Sequence, residues 1–580
     1  MPPTSQHESR RSSSLLILVL AALAIAGCGS SHASGTEADP AGAVPASAPL
    51  YAGATVRPGE PLKAAARSAG QTLSHQADVY LRLLGALQTP GSSTLTFNRD
   101  VAPWLGAHAA IFLSSPGAAS ETNVSRLLSL LQRGLLGGST TTSAFPFGAN
   151  GVEGAIVLDT SDATKARSFL DAQAARAGGH ASAYRGVSYQ AAPGGIAFGV
   201  VDRFAVIGSE SGIRSVIDTT LGAPSLAHAA GYAKLLASAP PGVLAHLYAN
   251  AGAYGSSGGA ATGSQGLPGL LSLLAGTRSV NVSLVPTAAS IALDADVLSS
   301  GGTASRGGLL SPSPEGAQAL GELPGESWLA VGLGNVGATL GEDVRGLHTL
   351  ASIGSTLAGS GAAGKSSSIS VNGLLGAILA PLSALSANSA EARRDFASWM
   401  GSAGMFASGS GLLELKGGIV IGSKNPALSR AAVAKLGAKL REAGGSVQAV
   451  SIAGTDASVA ARLTGLPVAL DIADGRDAAG QAKFVIGLGE SSIAGALNPS
   501  STLSAAASRA AASASLGEGI QPSLSLDFPT LLGLLESVGL TEDPSISPFV
   551  PYLRSLTTLA GGGKSVGAGV ERFRLVVGLR

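Results

Sequence analysis

Arg99-Asp100-Val101-Ala102-Pro103-Trp104-Leu105-Gly106 returns as Arg394-Asp395-Phe396-Ala397-Ser398-Trp399-Met400-Gly401, and the two copies use two of only three tryptophans in 580 residues. Chance does not place so rare a residue twice in the same frame of charge, indole and glycine. Further stretches correspond around these anchors. Gly154-Ala155-Ile156-Val157-Leu158 matches Gly417-Gly418-Ile419-Val420-Ile421, each before a helix-like run, and Arg203 to Ile213 matches Lys483 to Ile493. Arg278-Ser279-Val280 and Lys564-Ser565-Val566 are read as opening the closing strand pair of each half. A repeat this long means duplicated domains, not a short-period solenoid.

The breaker-rich segment from Ser299 to Pro314 divides the chain into nearly equal halves. The expected organisation is a signal segment over 1–27, a flexible Gly/Ser/Ala/Pro tether over 28–46, a first unit over 47–298, a linker over 299–318 and a second unit over 319–580. In the first unit, strand-like runs cover Tyr51 to Val56, His108 to Leu113, Ala155 to Leu158, Gly195 to Val201, Arg203 to Ile207, Leu244 to Tyr248, Val280 to Val285 and Ser290 to Val297. Val201-Asp202-Arg203 reads as a hairpin turn, which favours antiparallel pairing. Helical patterns cover Pro61 to Leu87, Asn123 to Leu136, Asp162 to Arg176 and Glu210 to Thr219. Strand clusters interrupted by helices give an α+β class, here a tandem duplication of a mainly antiparallel sheet unit with helices packed on one face.

Cys28 is the single cysteine, and it closes the run Ile25-Ala26-Gly27-Cys28 after Arg10, Arg11 and an apolar stretch from Leu15 to Ala26. This is an export signal whose small-residue cleavage site is followed by cysteine. It resembles the lipobox of bacterial lipoproteins, in which that thiol receives a diacylglycerol. The alternative, a plain anchor helix, needs about 18 to 20 apolar residues, more than the run supplies. Ser9 before the arginines hints at twin-arginine export, but Ser13 and Ser14 stand where that signal carries bulky apolar residues. With the thiol lipidated, neither a disulfide nor a cysteine metal site is expected.

Charged residues make up 13% of the chain and the net charge is +1, with no Lys/Arg-rich run, so the electrostatic term that nucleic-acid binding relies on is missing. Leu50-Tyr51-Ala52-Gly53-Ala54, Pro103-Trp104-Leu105-Gly106 and Tyr184-Arg185-Gly186-Val187 resemble a family of exported lipoproteins of high-GC Gram-positive bacteria that is catalogued only as a domain of unknown function. The resemblance covers most of 45–580, although the Tyr-Arg-Gly element has no counterpart in the second half. It implies no activity, substrate or catalytic residue.

Several spacings imitate chemistry. Gly332-Leu333-Gly334-Asn335-Val336-Gly337 meets the dinucleotide fingerprint but lacks the acidic residue about 20 positions on. Gly359 to Ser366 spells a phosphate-binding loop without a preceding strand. Gly255-Ser256-Ser257-Gly258-Gly259 has the nucleophile-elbow spacing within low-complexity sequence. The eight histidines form no metal-ligand spacing, and His108 and His246 fall in strand-like runs. No cofactor, metal ligand or catalytic residue is assigned. Arg99, Asp100, Trp104, Arg394, Asp395 and Trp399 form the candidate repeated element, either a structural device (charges at a helix end, indole in the core, glycine turning into the next strand) or a grip on a sugar or cation. Leucine-rich runs at 127–131, 270–274, 374–385 and 531–535 read as core helices, or as walls for an acyl chain.

The leading functional expectation is a membrane-anchored lipoprotein on the extracytoplasmic face, a non-enzymatic binding or scaffold protein of the cell envelope. It would be held to the membrane through Cys28, with an envelope protein or a lipid as ligand. A carrier of a lipid or other amphiphile comes second and a serine-type hydrolase third.

Overall fold

Short segments mixing small and branched apolar residues make strands that can be buried on both faces, and in the computed structural model they join edge to edge. The structure describes residues 37–74, 96–114, 147–148, 152–250, 277–299, 312–339, 393–411, 414–442, 444–463, 468–537, 539–542, 547–567 and 569–580. The first half contributes β1 (Leu50–Thr55), β2 (Leu105–Leu113), β3 (Gly154–Thr160), β4 (His180–Tyr184), β5 (Val187–Ala192), β6 (Ile196–Val201), β7 (Phe204–Ser209), β8 (Ala245–Ala249), β9 (Thr277–Pro286) and β10 (Ser290–Ser299). The second contributes β11 (Ser327–Leu333), β12 (Met400–Ser408), β13 (Lys416–Ser423), β14 (Ser446–Ala449), β15 (Thr455–Arg462), β16 (Leu470–Arg476), β17 (Ala482–Leu488), β18 (Gln521–Asp527), β19 (Leu556–Gly567) and β20 (Val570–Leu579).

All 20 strands form one sheet. Its order is β4-β5-β6-β7-β3-β2-β1-β8-β9-β10, then β20-β19-β18-β11-β12-β13-β17-β16-β15-β14, and every neighbour is antiparallel. Strands β11 to β20 thus pair in the same order as β1 to β10, and the halves meet at β10–β20. A row Tyr248–Tyr51–Phe112–Ala155–Gly208 crosses the first half and Ser525–Ala330–Phe406–Gly418–Gly487 crosses the second, which sets Phe204 in the place of Lys483, one residue off the match of Arg203–Ile213 with Lys483–Ile493, so that Phe204 and Phe484 lie on opposite faces.

Helices cover both faces, which corrects the expectation of one helical face. On the face that carries Tyr51 and Ala330 lie α3 (Glu210–Thr220), α4 (Ala230–Ser238), α5 (Pro314–Glu322), α7 (Glu490–Leu497) and α8 (Ala507–Leu516). The other face carries α1 (Leu62–Ser74), α2 (Ala163–Arg176), α6 (Pro426–Glu442), α9 (Phe528–Ser537) and α10 (Val550–Arg554). The reason is visible in β17, where Phe484 and Ile486 pack with Leu436 of α6 while Val485 packs with Ile493 of α7. A strand apolar at consecutive positions needs cover on both sides. Capping sets the helix starts: the Asp162 carboxylate accepts from the Thr164 and Lys165 amides at 3.1 and 3.0 Å, and Ser209 Oγ accepts from Gly212 N at 3.0 Å.

Other expectations change in detail. Ala41, Ala43 and Val44, read as tether, are fully buried in the first-half core. The stretch assigned to the linker already contains α5, capped by Ser313, with Ala319 and Leu320 buried. Arg278 lies at the start of β9 whereas Lys564 lies near the end of β19, so those two triplets do not correspond. A three-residue match cannot fix a position along strands ten or more residues long. The Tyr184-Arg185-Gly186-Val187 element is the two-residue turn of the β4–β5 hairpin, with φ of +49° and +84° at its centre. Arg185 holds that turn by pairing with Asp218 of α3 at 2.7 Å. Cys28, the helix expected over 123–136, the three glycine-rich motifs at 255–259, 300–311 and 359–366, and the leucine runs at 127–131, 270–274 and 374–385 lie outside the described residues.

The seam between the halves is ionic and buried. Asp294 faces Arg574 and Asp296 faces Arg572 across β10 and β20. Each pair is bidentate: 2.7 and 2.8 Å for Arg572–Asp296, 2.7 and 2.9 Å for Arg574–Asp294, with both aspartates fully buried. The same guanidiniums bond the terminal carbonyls of the two helices above them, Arg572 to Ser238 O of α4 and Arg574 to Leu516 O of α8, where cations are favoured. Arg572→Ala or Asp296→Ala alone is expected to cost about 3–5 kcal/mol, while the joint change Arg572→Met with Asp296→Leu costs far less. Denaturant unfolding in a double-mutant cycle checks this, and additive losses would contradict it.

Candidate functional site

The repeated Arg-Asp-Trp element builds the same object twice. Phe97–Val101 and Arg393–Ala397 each form one π-helical turn, and the indole that follows bonds back to it, Trp104 Nε1 to Asp100 O at 2.8 Å and Trp399 Nε1 to Asp395 O at 2.9 Å. Both rings are buried, against Phe169 and Phe484 with centroids 5.3 and 5.1 Å away. The carboxylates face outward and tie the turn. Asp100 accepts from Arg99 at 2.9 and 3.0 Å and from Thr96 N at 2.7 Å, which pulls its pKa down to about 2. Asp395 is held below its usual range chiefly by Lys435 at 2.8 Å, with Arg394 at 3.7 Å. The glycines do not make a turn, contrary to expectation: Gly106 lies inside β2, where a Cβ would collide with the buried Asp159 carboxylate. That carboxylate accepts from Ala107 N at 3.1 Å and pairs with Arg203 at 2.7 Å.

The Gly332/Gly334/Gly337 spacing is likewise taken up by packing. Side chains there would strike Gly316 O of α5, Ser313 Oγ and Ala397 O respectively. Of the leucine runs, the described one is α9, with Leu532 and Leu535 buried in the core. A hydroxyl chain runs Ser423 Oγ to Ser429 Oγ at 2.9 Å and on to the Asp474 carboxylate at 2.5 Å, and Ser423 also accepts from Asn425 N at the start of α6.

The polar cluster that the sequence did not assemble lies under α4. Tyr51 of β1, Tyr232 of α4 and His246 of β8 meet with ring centroids 5.6–6.0 Å apart. Tyr232 Oη lies 3.1 Å from His246 Nε2, and Tyr51 donates to the Asp39 carboxylate at 3.4 Å. Burial pushes the His246 pKa down to about 4 and raises both phenols, so the imidazole is neutral at physiological pH and this is a hydrogen-bonding array. His108, one strand over on β2, pairs instead with Glu37 at 3.6 Å. Gly53, directly opposite His246, was the one available signal, because a Cβ there would crowd the imidazole at 2.9 Å. Among the described residues, no group of three or more His, Cys, Asp or Glu side chains could hold a metal.

A family model described as protein of unknown function, DUF3352, matches residues 12–564, from before the first half to within β19 of the second. The chain belongs to this DUF3352 family. No curated protein matches it. A solved structure described as crystal form I of TP0453 aligns over 46% of this chain and 81% of its own, at 10% identity and a TM-score of 0.24. In this member of the family Trp104 is a buried indole and Tyr184–Val187 a tight hairpin turn.

Two measurements test the geometry. Trp104→Ala and Trp399→Ala should each cost about 3–5 kcal/mol in denaturant unfolding, whereas Arg99→Ala and Arg394→Ala, on exposed guanidiniums, should leave the unfolding midpoint nearly unchanged. Asp471 of β16 is 5% exposed, its Oδ1 has no hydrogen-bond partner, and burial with Glu490 nearby raises its pKa from 3.8 to about 6. A carboxyl raised on folding is a penalty absent below pH 3.8 and complete above pH 6. Asp471→Asn should therefore stabilise the protein by on the order of 1–2 kcal/mol at pH 7 and hardly at pH 4, and a gain independent of pH would contradict this.

Proposed function

We propose that this protein is a lipid-anchored lipoprotein of the extracytoplasmic membrane face, a non-enzymatic binding or scaffold protein of the cell envelope, built by tandem duplication of one α+β unit. The observation that carries the address is the apolar run from Leu15 to Ala26 closing on Ile25-Ala26-Gly27-Cys28. The duplication is supported by the recurrence of Arg-Asp-x-x-x-Trp-x-Gly, by the shared pairing order of the two sets of ten strands and by the matching rows of Tyr248 and Ser525. Among the described residues, no helix is long and apolar enough to cross a membrane.

The anchor and the folded part lie close together in this reading. Ten residues lie between Cys28 and Asp39, which caps the first described helical turn, so even a fully extended chain there reaches about 40 Å at most. A non-enzymatic role fits side chains that satisfy one another: the tyrosine–histidine array, the seam ion pairs and the Trp turns all close on protein groups. Cys28→Ala is expected to release the protein from the membrane fraction. Retention of the variant in that fraction after signal processing would overturn the proposal.

A further inference from the structure

Helix α6 gathers charge that the sequence spreads out. No Asp or Glu falls between Glu414 and Glu442, a stretch that holds six of the chain's 37 Lys and Arg residues. They form no run in the sequence, yet five of them, Lys424, Arg430, Lys435, Lys439 and Arg441, stand on α6 or in the turn just before it. The helix buries Val433, Leu436 and Leu440 against the sheet. With about 3.6 residues per turn, Ala431, Ala434 and Ala438 then form its outermost strip. Arg430 and Arg441 border that strip on one side, and Leu428, Lys435 and Lys439 border it on the other. Leu428 is 41% exposed, rare for a large apolar side chain among the described residues.

The chain itself neutralises only part of this charge. Arg430 pairs with Asp456 at 2.5 Å and Lys435 with Asp395 at 2.8 Å. Lys439 and Arg441 pair with no carboxylate among the described residues, and Lys424 reaches the neutral Asn335 amide oxygen at 3.2 Å. Other helices lack this bias. The helix in the same place in the first half, α2, sets Asp171 among Lys165, Arg167 and Arg176, α3 sets Glu210 and Asp218 against Arg214, and α5 carries Glu315 and Glu322 with no cation.

We propose that the solvent face of α6 rests on anionic phospholipid of the membrane that holds the chain, an inference that takes the lipid anchor at Cys28 as given. The alanine strip lets the headgroup layer come close, while long Lys and Arg stems lie along it and carry their charge to phosphates. Each cation contributes about 1 kcal/mol at an acidic bilayer surface. Three unpaired cations are too few to hold a free protein there, but they suffice to orient one already tethered, for which the second contact is intramolecular. The tether meets the body on the Tyr51 face, opposite α6. Its reach of about 40 Å exceeds the depth of three layers about 10 Å thick each, so anchor and helix hold the membrane together.

The test reconstitutes the lipidated full chain on phosphatidylcholine vesicles, with or without phosphatidylglycerol, and follows lysine acetylation by mass spectrometry. Lys439 and Lys424 should react at least about fivefold more slowly on the acidic vesicles, and sodium chloride at about 0.5 M should abolish the difference. Lys234, exposed on α4 across the sheet, should react alike on both. In the double variant Lys424→Glu with Arg441→Glu, whose side chains form no ion pair that the fold needs, Lys439 should lose its protection. Equal labelling of Lys439 on the two vesicles, or protection that survives in the double variant, overturns the proposal. Protection by soluble heparin but not by acidic vesicles overturns it too, assigning the face to an anionic macromolecule in solution. Attachment to plain phosphatidylcholine reports the anchor alone: a chain that fails to attach there overturns the anchor and this proposal with it, whereas an attached chain with equal labelling overturns only the docking of α6.

Discussion

The fold depends on two strands that carry complementary buried charge. β10 and β20 would each be a long open edge of its own half, and an open edge is a template for pairing with whatever arrives. Asp294 and Asp296 on one strand and Arg572 and Arg574 on the other make that pairing selective. A second copy of β10 would set carboxylates against carboxylates, whereas β20 offers guanidiniums in register. Because the arginines also bond the last carbonyls of α4 and α8, the seam fixes the helices above it and turns two potential modules into one sheet.

Close approach between layers is the second constraint, and it explains why the chain is so poor in charge and so rich in glycine. At Gly332 the backbone of α5 lies against β11 with no room for a side chain. Such contact gives dense packing from small residues and leaves the larger groups, Trp104, Trp399, Phe112 and Phe484, to fill the deeper space on either side of the sheet. The price of this economy is that motif-like glycine spacings arise without any ligand to explain them.

The halves share a plan and differ in what fills one position. Under α4 a tyrosine and a histidine satisfy each other; the third residue of α8 is Arg509, buried with its Nη1 unpartnered. Stability does not demand that difference, since the same layers pack in both places.

Local patterns in the sequence were enough to place β1, β2, β3, β6 to β10, α2 and α3, because alternation, caps and turn residues act over a few positions. They also marked the two tryptophan turns, whose hydrogen bonds close within four residues. The hairpin of β4 and β5 was not legible, its Tyr184–Val187 turn standing out only as part of a family resemblance, since the strands are short and largely polar at the sheet edge. Cover on both faces, the merging of two units into one sheet, the seam pairs and the cluster of Tyr51, Tyr232 and His246 were not legible. These contacts join residues tens to hundreds of positions apart, and no local periodicity records which distant strand supplies the opposite charge or the second face. The address proposed at Cys28 is the converse case, since a signal of that kind is written in consecutive residues and read from the extended chain before any tertiary contact exists.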